Sequence, residues 1–331
     1  MNSEVTVNSV INLFEIIEEE IKNQNIDFNL LENDNYSLES KNLDKVLEII
    51  FQYSSSSEYC FSITRDEYEI CKIDLYDKNS EDIKTFNIQV INTSDNGPTS
   101  LKKSLFRLKC NILKAIRIIP IIGPDGVGKT SLLLEVRTSI NEKNIYKRFK
   151  KIVRRSIIYN ILYPINKKIL KKQMGKRPEK DQHDDKNSKL IITAGLIYYP
   201  YLILLSLIKN RLIFVDRFFQ DAFLENISFK EKDTQLRTNW ESTLKFIPTT
   251  FWFVHLDAKS DVIMQRKDEL TIDDIDKYRS LNFEMYLKKS SVIYTYINTG
   301  NEISQCKRIL IHAGEKSNIF EPQKKIDNEI C

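Results

Sequence analysis

The sequence predicts an α/β protein: a three-layer parallel sheet with helices on both faces, preceded by a small α+β domain. Three observations carry this. Short β-branched runs alternate with amphipathic helix-length patterns between about residues 116 and 312, as βαβ units do. Residues 1–105 run differently, as two helices followed by strands. The turn-rich segment TSDNGPTS at 93–100 separates the two blocks.

The elements follow in order. Val10, Ile11, Phe14, Ile17 and Ile21 recur at helical spacing inside a helix expected over Val5–Ile21. Leu43–Phe51 reads as a second helix, and Tyr59–Thr64, Tyr68–Tyr76 and Thr85–Ile91 as strands. A basic helix, LKKSLFRLKCNILKAIR, leads into the second block. There Ile118–Ile122 is a strand and Thr130–Ile140 a helix; 190–209 is a second helix and Leu212–Val215 the next strand. Phe251–Leu256 is a strand closed by Asp257 and followed by a helix from Lys259. Val292–Ile297 is the last strand, with a helix from about Glu302. The expected division is 1–105, 106–312 and a polar tail at 313–331.

Composition narrows the function classes. The chain has 331 residues, 41% hydrophobic and 29% charged, which suits a packed core and excludes whole-chain disorder. Its net charge of +4 is too mild for a general nucleic-acid binder. Five scattered cysteines without a CxxC pair suggest reduced thiols in a cytoplasmic protein. Histidines 183, 255 and 312 lie too far apart for zinc-ligand spacing. The N-terminal residues lack the basic segment of a secretion signal. Residues 190–208 carry no formal charge, a length just able to span a bilayer. Gly195, Pro200, three tyrosines and the strand that follows almost at once favour a buried core helix.

Only 8 glycines occur, and three of them are Gly123, Gly126 and Gly128. Gly123-Pro124-Asp125-Gly126-Val127-Gly128-Lys129-Thr130-Ser131 fits the phosphate-binding loop pattern, with a strand before it and a helix after it. Glycines let successive N–H groups curl toward phosphate oxygens, and the following helix adds its positive end. In such a loop Lys129 serves the β- and γ-phosphates, and the Thr130 hydroxyl serves Mg²⁺. A nucleoside triphosphate with Mg²⁺ is therefore the expected ligand. An acid inside the loop is repelled by bound phosphates, so Asp125 is expected to face outward, toward a second ligand.

With these residues in view, the loop resembles that of thymidylate kinases and their relatives among the nucleoside-monophosphate kinases. In that family the acid at the position of Asp125 faces the acceptor sugar. Arg211-Leu-Ile-Phe-Val-Asp216-Arg217-Phe218-Phe219 resembles the family's buried strand ending in Asp-Arg-aromatic. The resemblance gives Asp216 to the metal or acceptor and Arg217 to the acceptor phosphate, with catalytic roles for both. The stretch from Phe251 to Lys267 resembles the family's next strand, helix and lid entrance, placing Arg266 and Lys267 over the phosphates. The spacing Asp216 to Asp221 is similar to bacterial two-domain members associated with surface-polysaccharide synthesis, and makes Asp221 a further acceptor ligand. The family's arginine-containing turn after the second strand has no evident counterpart, nor does its thymine-contacting pattern. Together these imply a phosphotransferase using ATP and Mg²⁺ on a small-molecule phosphate acceptor, a nucleoside monophosphate or a sugar-type compound. A regulatory NTPase and a membrane-associated nucleotide-binding adaptor are the alternatives.

Residues 143–177 hold 13 Lys or Arg and no acid, leaving −9 on the rest of the chain. Interleaved apolar residues make this segment read as a basic helical insertion over about 143–180. It suits a solvated arm, an anionic membrane surface at the inner face of a cell membrane, or a polyanionic acceptor. No module for sequence-specific nucleic acid is visible. A homodimer is compatible with the sequence. In the first block, Asp74 on a strand and Asp44 can be read as remnant acids of a degenerate nucleotidyltransferase-like or recognition domain; the Gly-Ser turn of such enzymes is missing, and a plain α+β partner domain is the alternative to an active second site.

Overall fold

The structure, a computed structural model, describes residues 10–24, 26, 28–30, 35–39, 42–57, 59–67, 70–76, 83–91, 100–174, 180–219, 241, 244–266, 271–289, 292–300 and 302–321. The first block contains α1 (Val10–Asn23), β1 (Phe28–Leu30), β2 (Asn35–Glu39), α2 (Leu43–Ser57), β3 (Cys60–Glu67), β4 (Ile70–Tyr76) and β5 (Ile83–Ile91). Helix α3 (Ser100–Ala115) crosses to β6 (Ile118–Ile122), α4 (Lys129–Ser139) and β7 (Asn144–Arg148). Then come α5 (Phe149–Arg155), α6 (Ile157–Met174), α7 (Lys180–Lys209) and β8 (Leu212–Asp216). The described chain closes with β9 (Trp252–Asp257), α8 (Ser260–Arg266), α9 (Ile272–Lys289), β10 (Ile293–Asn298) and α10 (Ile303–Lys316).

All ten strands belong to one sheet, in the order β1-β2-β5-β4-β3-β10-β9-β6-β8-β7. The five strands from β10 to β7 are mutually parallel, giving the α/β architecture expected for the second block. The first block continues the sheet: β3 pairs antiparallel with β10, matching Tyr296 with Phe61.

Alternation along the strands sorts side chains into two cores. On β8, Ile213 and Val215 join one core while Leu212 and Phe214 join the other. The first core is covered by α1, α2, α5, α7 and α9 through residues such as Ile21, Leu47, Val153, Leu202 and Tyr286. The second is covered by α4 and α10 through Leu133, Val136, Ile309 and Leu310. Phe51 of α2 stacks on Phe283 of α9, with ring centroids 4.3 Å apart, so helices of both blocks share one core.

The basic segment opens with a strand. Asn144–Arg148 forms edge strand β7, and helix begins only at Phe149. The uncharged stretch is the second half of α7. Ile191, Ala194, Tyr199 and Leu202 are buried. A Cβ on Gly195 would run into the Phe149 ring. By length and composition Leu190–Lys209 could cross a membrane, but one side of it is packed against the protein's own core.

Asp74 is buried on β4, where the Thr85 hydroxyl donates to it at 2.7 Å and Lys316 of α10 pairs with it. Asp44 is exposed in the first turn of α2, which packs on the other core. The two acids therefore lie on opposite faces of the sheet.

Candidate functional site

Open parallel sheets bind ligands beyond the carboxyl ends of their strands, where the winding direction reverses. Here that point is β6. The chain leaves it toward β7 and β8 on one side, then crosses to β9 and β10 on the other. The loop after Ile122 thus lies between two flanks, and the site residues sort onto them.

Gly123, Gly126 and Gly128 have φ values of +139°, +89° and +88°, which side chains with a Cβ rarely adopt. Gly123 is doubly constrained, because a Cβ would also overlap the backbone carbonyl oxygen of Leu256 on β9. Gly128 caps α4 without any side-chain hydrogen bond, so the first N–H groups of the helix keep their bonding capacity for something else. Lys129 is 7% exposed and folds back over the loop. Its Nζ donates to the carbonyls of Gly123 at 2.6 Å and Pro124 at 2.8 Å. A cation is therefore held inside the ring of backbone that the glycines create.

The β8 flank carries the carboxylate. Asp216 is 1% exposed. Tyr146 Oη donates to its Oδ2 at 2.6 Å and Arg148 Nε at 3.2 Å. Its Oδ1 is buried and meets no donor among the described residues. Thr130 lies close to the same Tyr146 hydroxyl, as the smallest of the influences on its pKa, so the two residues assigned to the metal flank one phenol. Burial, reinforced by the bond to Asp216, raises the Tyr146 pKa, so the phenol stays protonated and donates.

Arg217 takes φ +59°, and its N–H donates to Ile121 O at 3.1 Å, tying the end of β8 to β6. That turn aims its guanidinium at Asp125, with which it forms an ion pair. Lys129 Nζ lies 3.9 Å from the same Asp125 oxygen. Strand register brings Arg148 level with Asp216, and Asp216 level with Ile121. Arg148 is half exposed, so its cation faces solvent at the mouth of this flank.

The β9 flank carries a cavity of about 460 Å³, lined by the loop, Ser131, Arg266, Thr299, Ile303 and Cys306. Arg266, in the last turn of α8, donates from Nη1 to Gly126 O at 2.8 Å and closes the loop from outside. Asp257 anchors this flank and is fully buried. It accepts from Arg279 Nε at 2.6 Å, Tyr296 Oη at 2.8 Å and the Ala258 N–H at 2.8 Å. The Thr299 N–H and hydroxyl both donate to the Asp257 carbonyl, at 2.6 and 2.9 Å, which fixes one wall of the cavity.

The structure thus brings together Gly123 through Ser131, Asp216, Arg217 and Arg266. Asp221 and Lys267 lie outside the described residues. Tyr146 and Arg148 are site residues that sequence reasoning missed. Arg148 is absorbed in a run of cations, and β7 has no buried position that would mark it as a strand. Asp257 is legible as the end of a strand, but its partner Arg279 is not. Among the described residues no group of three or more His, Cys, Asp or Glu is placed to hold a metal, so any ion here would depend on the ligand's own oxygens.

No family model matches the sequence, and no curated protein matches it. Among solved structures the chain is similar to a thymidylate kinase from Candida albicans, with 16% identity and a TM-score of 0.42 over 61% of this chain and 92% of that one.

Proposed function

We propose that the protein is an ATP- and Mg²⁺-dependent phosphotransferase acting on a small-molecule acceptor, a nucleoside monophosphate or a sugar-type compound. One observation carries it. Lys129 sits inside a glycine-shaped loop between a flank with a cavity and a flank with a carboxylate and two arginines. A loop built only for a tight turn needs no such division.

The residues present fit both ligands. The triphosphate would be held by the loop N–H groups and the start of α4, with Lys129 exchanging the Gly123 and Pro124 carbonyls for phosphate oxygens. The cavity beside Thr299, Ile303 and Cys306 suits the rest of the nucleotide. Thr130 and the unpartnered Oδ1 of Asp216 are hard oxygen donors suited to Mg²⁺. When bound, the ion supplies neutralisation of the phosphate charge.

Transfer forms a bond between an acceptor oxygen and the γ-phosphorus, breaks the β–γ bridge and releases ADP; a phosphate acceptor attacks already ionised, and a hydroxyl acceptor gives up its proton to solvent. Lys129 and Arg266 stabilise the charge that moves onto the donor oxygens. Arg217 and Arg148 face the opposite flank, where forked guanidinium groups match an acceptor phosphate or hydroxyl cluster. The Asp125–Arg217 pair keeps the loop's acid off the triphosphate and fixes the arginine's direction. Tyr146 holds Oδ2 of Asp216, leaving the other oxygen available.

The test is ADP release from Mg-ATP by the full chain against a panel of nucleoside monophosphates and sugars, with Lys129→Ala as control. Stimulation by one acceptor, lost in the variant, is the expected result. Binding of ATP with slow hydrolysis and no stimulation by any acceptor would replace the kinase with a nucleotide switch.

A further inference from the structure

Helix α7 buries one side and α6 half-buries one, and both leave an apolar side exposed. On α6 the exposed side carries Ile157, Ile161 and Ile165, four residues apart, with Ile157 78% exposed. On α7 it carries Ile197, Tyr201, Leu204, Leu207 and Ile208, with Ile208 71% exposed. The α7 stripe is about 16 Å long at the rise of an α-helix. The inner sides of both helices contribute to the same core, through Ile158 and Leu162 of α6 and Ala194 and Leu202 of α7. Both stripes therefore face away from the sheet on one side of the molecule. Lys151, Arg154 and Arg155 of α5, Lys168 of α6 and Lys209 of α7 are exposed beside them.

We propose that this face docks on an anionic lipid membrane. The chemistry selects that occupant. The sequence from 143 to 177 holds 13 cations and no acid. A second copy meeting this face through a twofold axis would set Lys151, Arg154, Arg155 and Lys168 against their own images. A polyanion such as nucleic acid would match the charge and leave the isoleucine and leucine stripes in water. An anionic bilayer matches both features, since cations collect at the headgroups while apolar side chains enter the acyl boundary. Tyr201, exposed in the α7 stripe, suits the interfacial layer between them. The mode is peripheral. The inner side of α7 is filled by its own core, where Tyr199 meets the rings of Phe218 and Phe219 edge-on, so the helix lies on the bilayer rather than across it.

The inference does not depend on the proposed reaction, because none of these residues holds nucleotide or acceptor. It does place Arg148 one residue before the docking arm, which sets the acceptor flank next to the lipid.

The test is cosedimentation of the full chain with vesicles, comparing phosphatidylcholine with equimolar phosphatidylcholine and phosphatidylglycerol at physiological salt. Binding to the mixed vesicles and much less to neutral ones is expected. Lys151→Gln with Arg155→Gln and Lys168→Gln should weaken it about a hundredfold, at roughly fivefold per cation. Ile161→Ser with Tyr201→Ser and Leu204→Ser should weaken it at least tenfold, as should Leu207→Ser with Ile208→Ser. All three variants should keep the parent's melting temperature within a few degrees, since every substituted side chain is exposed. Failure of the parent to pellet with mixed vesicles would overturn the proposal. So would equal binding to both vesicle types, binding unchanged in the serine variants but displaced by heparin, or a parent dimer that the serine variants convert to monomer.

Discussion

Replacing Asp216 with asparagine separates fold from function. Asparagine has the same shape and can keep its carbonyl on the Tyr146 and Arg148 donors, so the packing around β8 survives. The Arg148 cation is half exposed and its ion pair is screened, contributing less than about 1 kcal/mol. The new NH₂ replaces an oxygen that already lacks a protein donor. Together these bound the stability change at about 2 kcal/mol, a melting shift of only a few degrees. Activity should respond differently. The lost negative charge includes Oδ1, a buried oxygen with no donor among the described residues and so open to a cation. Removing an electrostatic contact of this kind in an enclosed site costs about 2.7–4 kcal/mol, a loss of roughly 100- to 1000-fold in turnover. The assay is ADP release across a Mg²⁺ titration, paired with thermal melts of parent and variant. A variant with parental turnover and an unchanged Mg²⁺ midpoint would refute the role given to Asp216. A collapse of the melting temperature would refute the packing argument.

Other expectations follow from single side chains. Gly123→Ala should destabilise by about 2–5 kcal/mol, combining left-handed strain with overlap on the Leu256 carbonyl. Gly128→Ala has open space and only the strain of about 1–2 kcal/mol, so equal melting shifts would contradict the geometry. Arg148→Ala should raise the acceptor KM about tenfold or more while leaving ATP affinity within about twofold, because it stands on the acceptor flank alone; a matching loss of ATP affinity would misplace it. His255 is fully buried, and burial, with smaller contributions from Arg279 and Lys129, lowers its pKa from 6.5 to about 4. The unfolded chain therefore binds more protons between those values. Stability should fall as pH drops from 6.5 toward 4, by about 3 kcal/mol from this group. Denaturant melts of His255→Gln should show that slope flattened, and an unchanged slope would assign it elsewhere.

The sheet's centre was legible because β6, β8, β9 and β10 are buried on both faces and read as near-continuous apolar runs. The loop was legible because three glycines in a glycine-poor chain cannot be accidental to backbone shape. β7 was not, since an edge strand keeps lysine and arginine at positions that a central strand would bury. With β7 hidden, Tyr146 and Arg148 had no place at the site, although Arg148 lies level with Asp216. The pairing of β3 with β10 was equally invisible. It joins residues more than 200 apart, and its buried Ser62–Thr295 hydrogen bond of 3.0 Å looks in sequence like two ordinary polar residues.

That pairing has a consequence for the first block. A parallel sheet ending at β10 would present a buried, apolar strand with a free edge, the kind of edge that recruits other chains. β3 covers it along four register pairs, from Ile293–Thr64 to Tyr296–Phe61. α2 adds Phe51, which stacks on Phe283 and meets Tyr296 edge-on. Removing residues 1–105 would expose that edge and leave His255, Tyr294 and Tyr296 beside a void where Phe51 and Phe61 had been. Truncating buried aromatics singly costs about 3–5 kcal/mol each, and two such losses consume most of a typical domain's stability. A protein spanning 106–331 is therefore expected to aggregate rather than yield a monomer active with Mg-ATP. A soluble 106–331 monomer with parental melting behaviour, measured by light scattering and calorimetry, would show that the first block is a separable partner rather than the closing edge of the sheet.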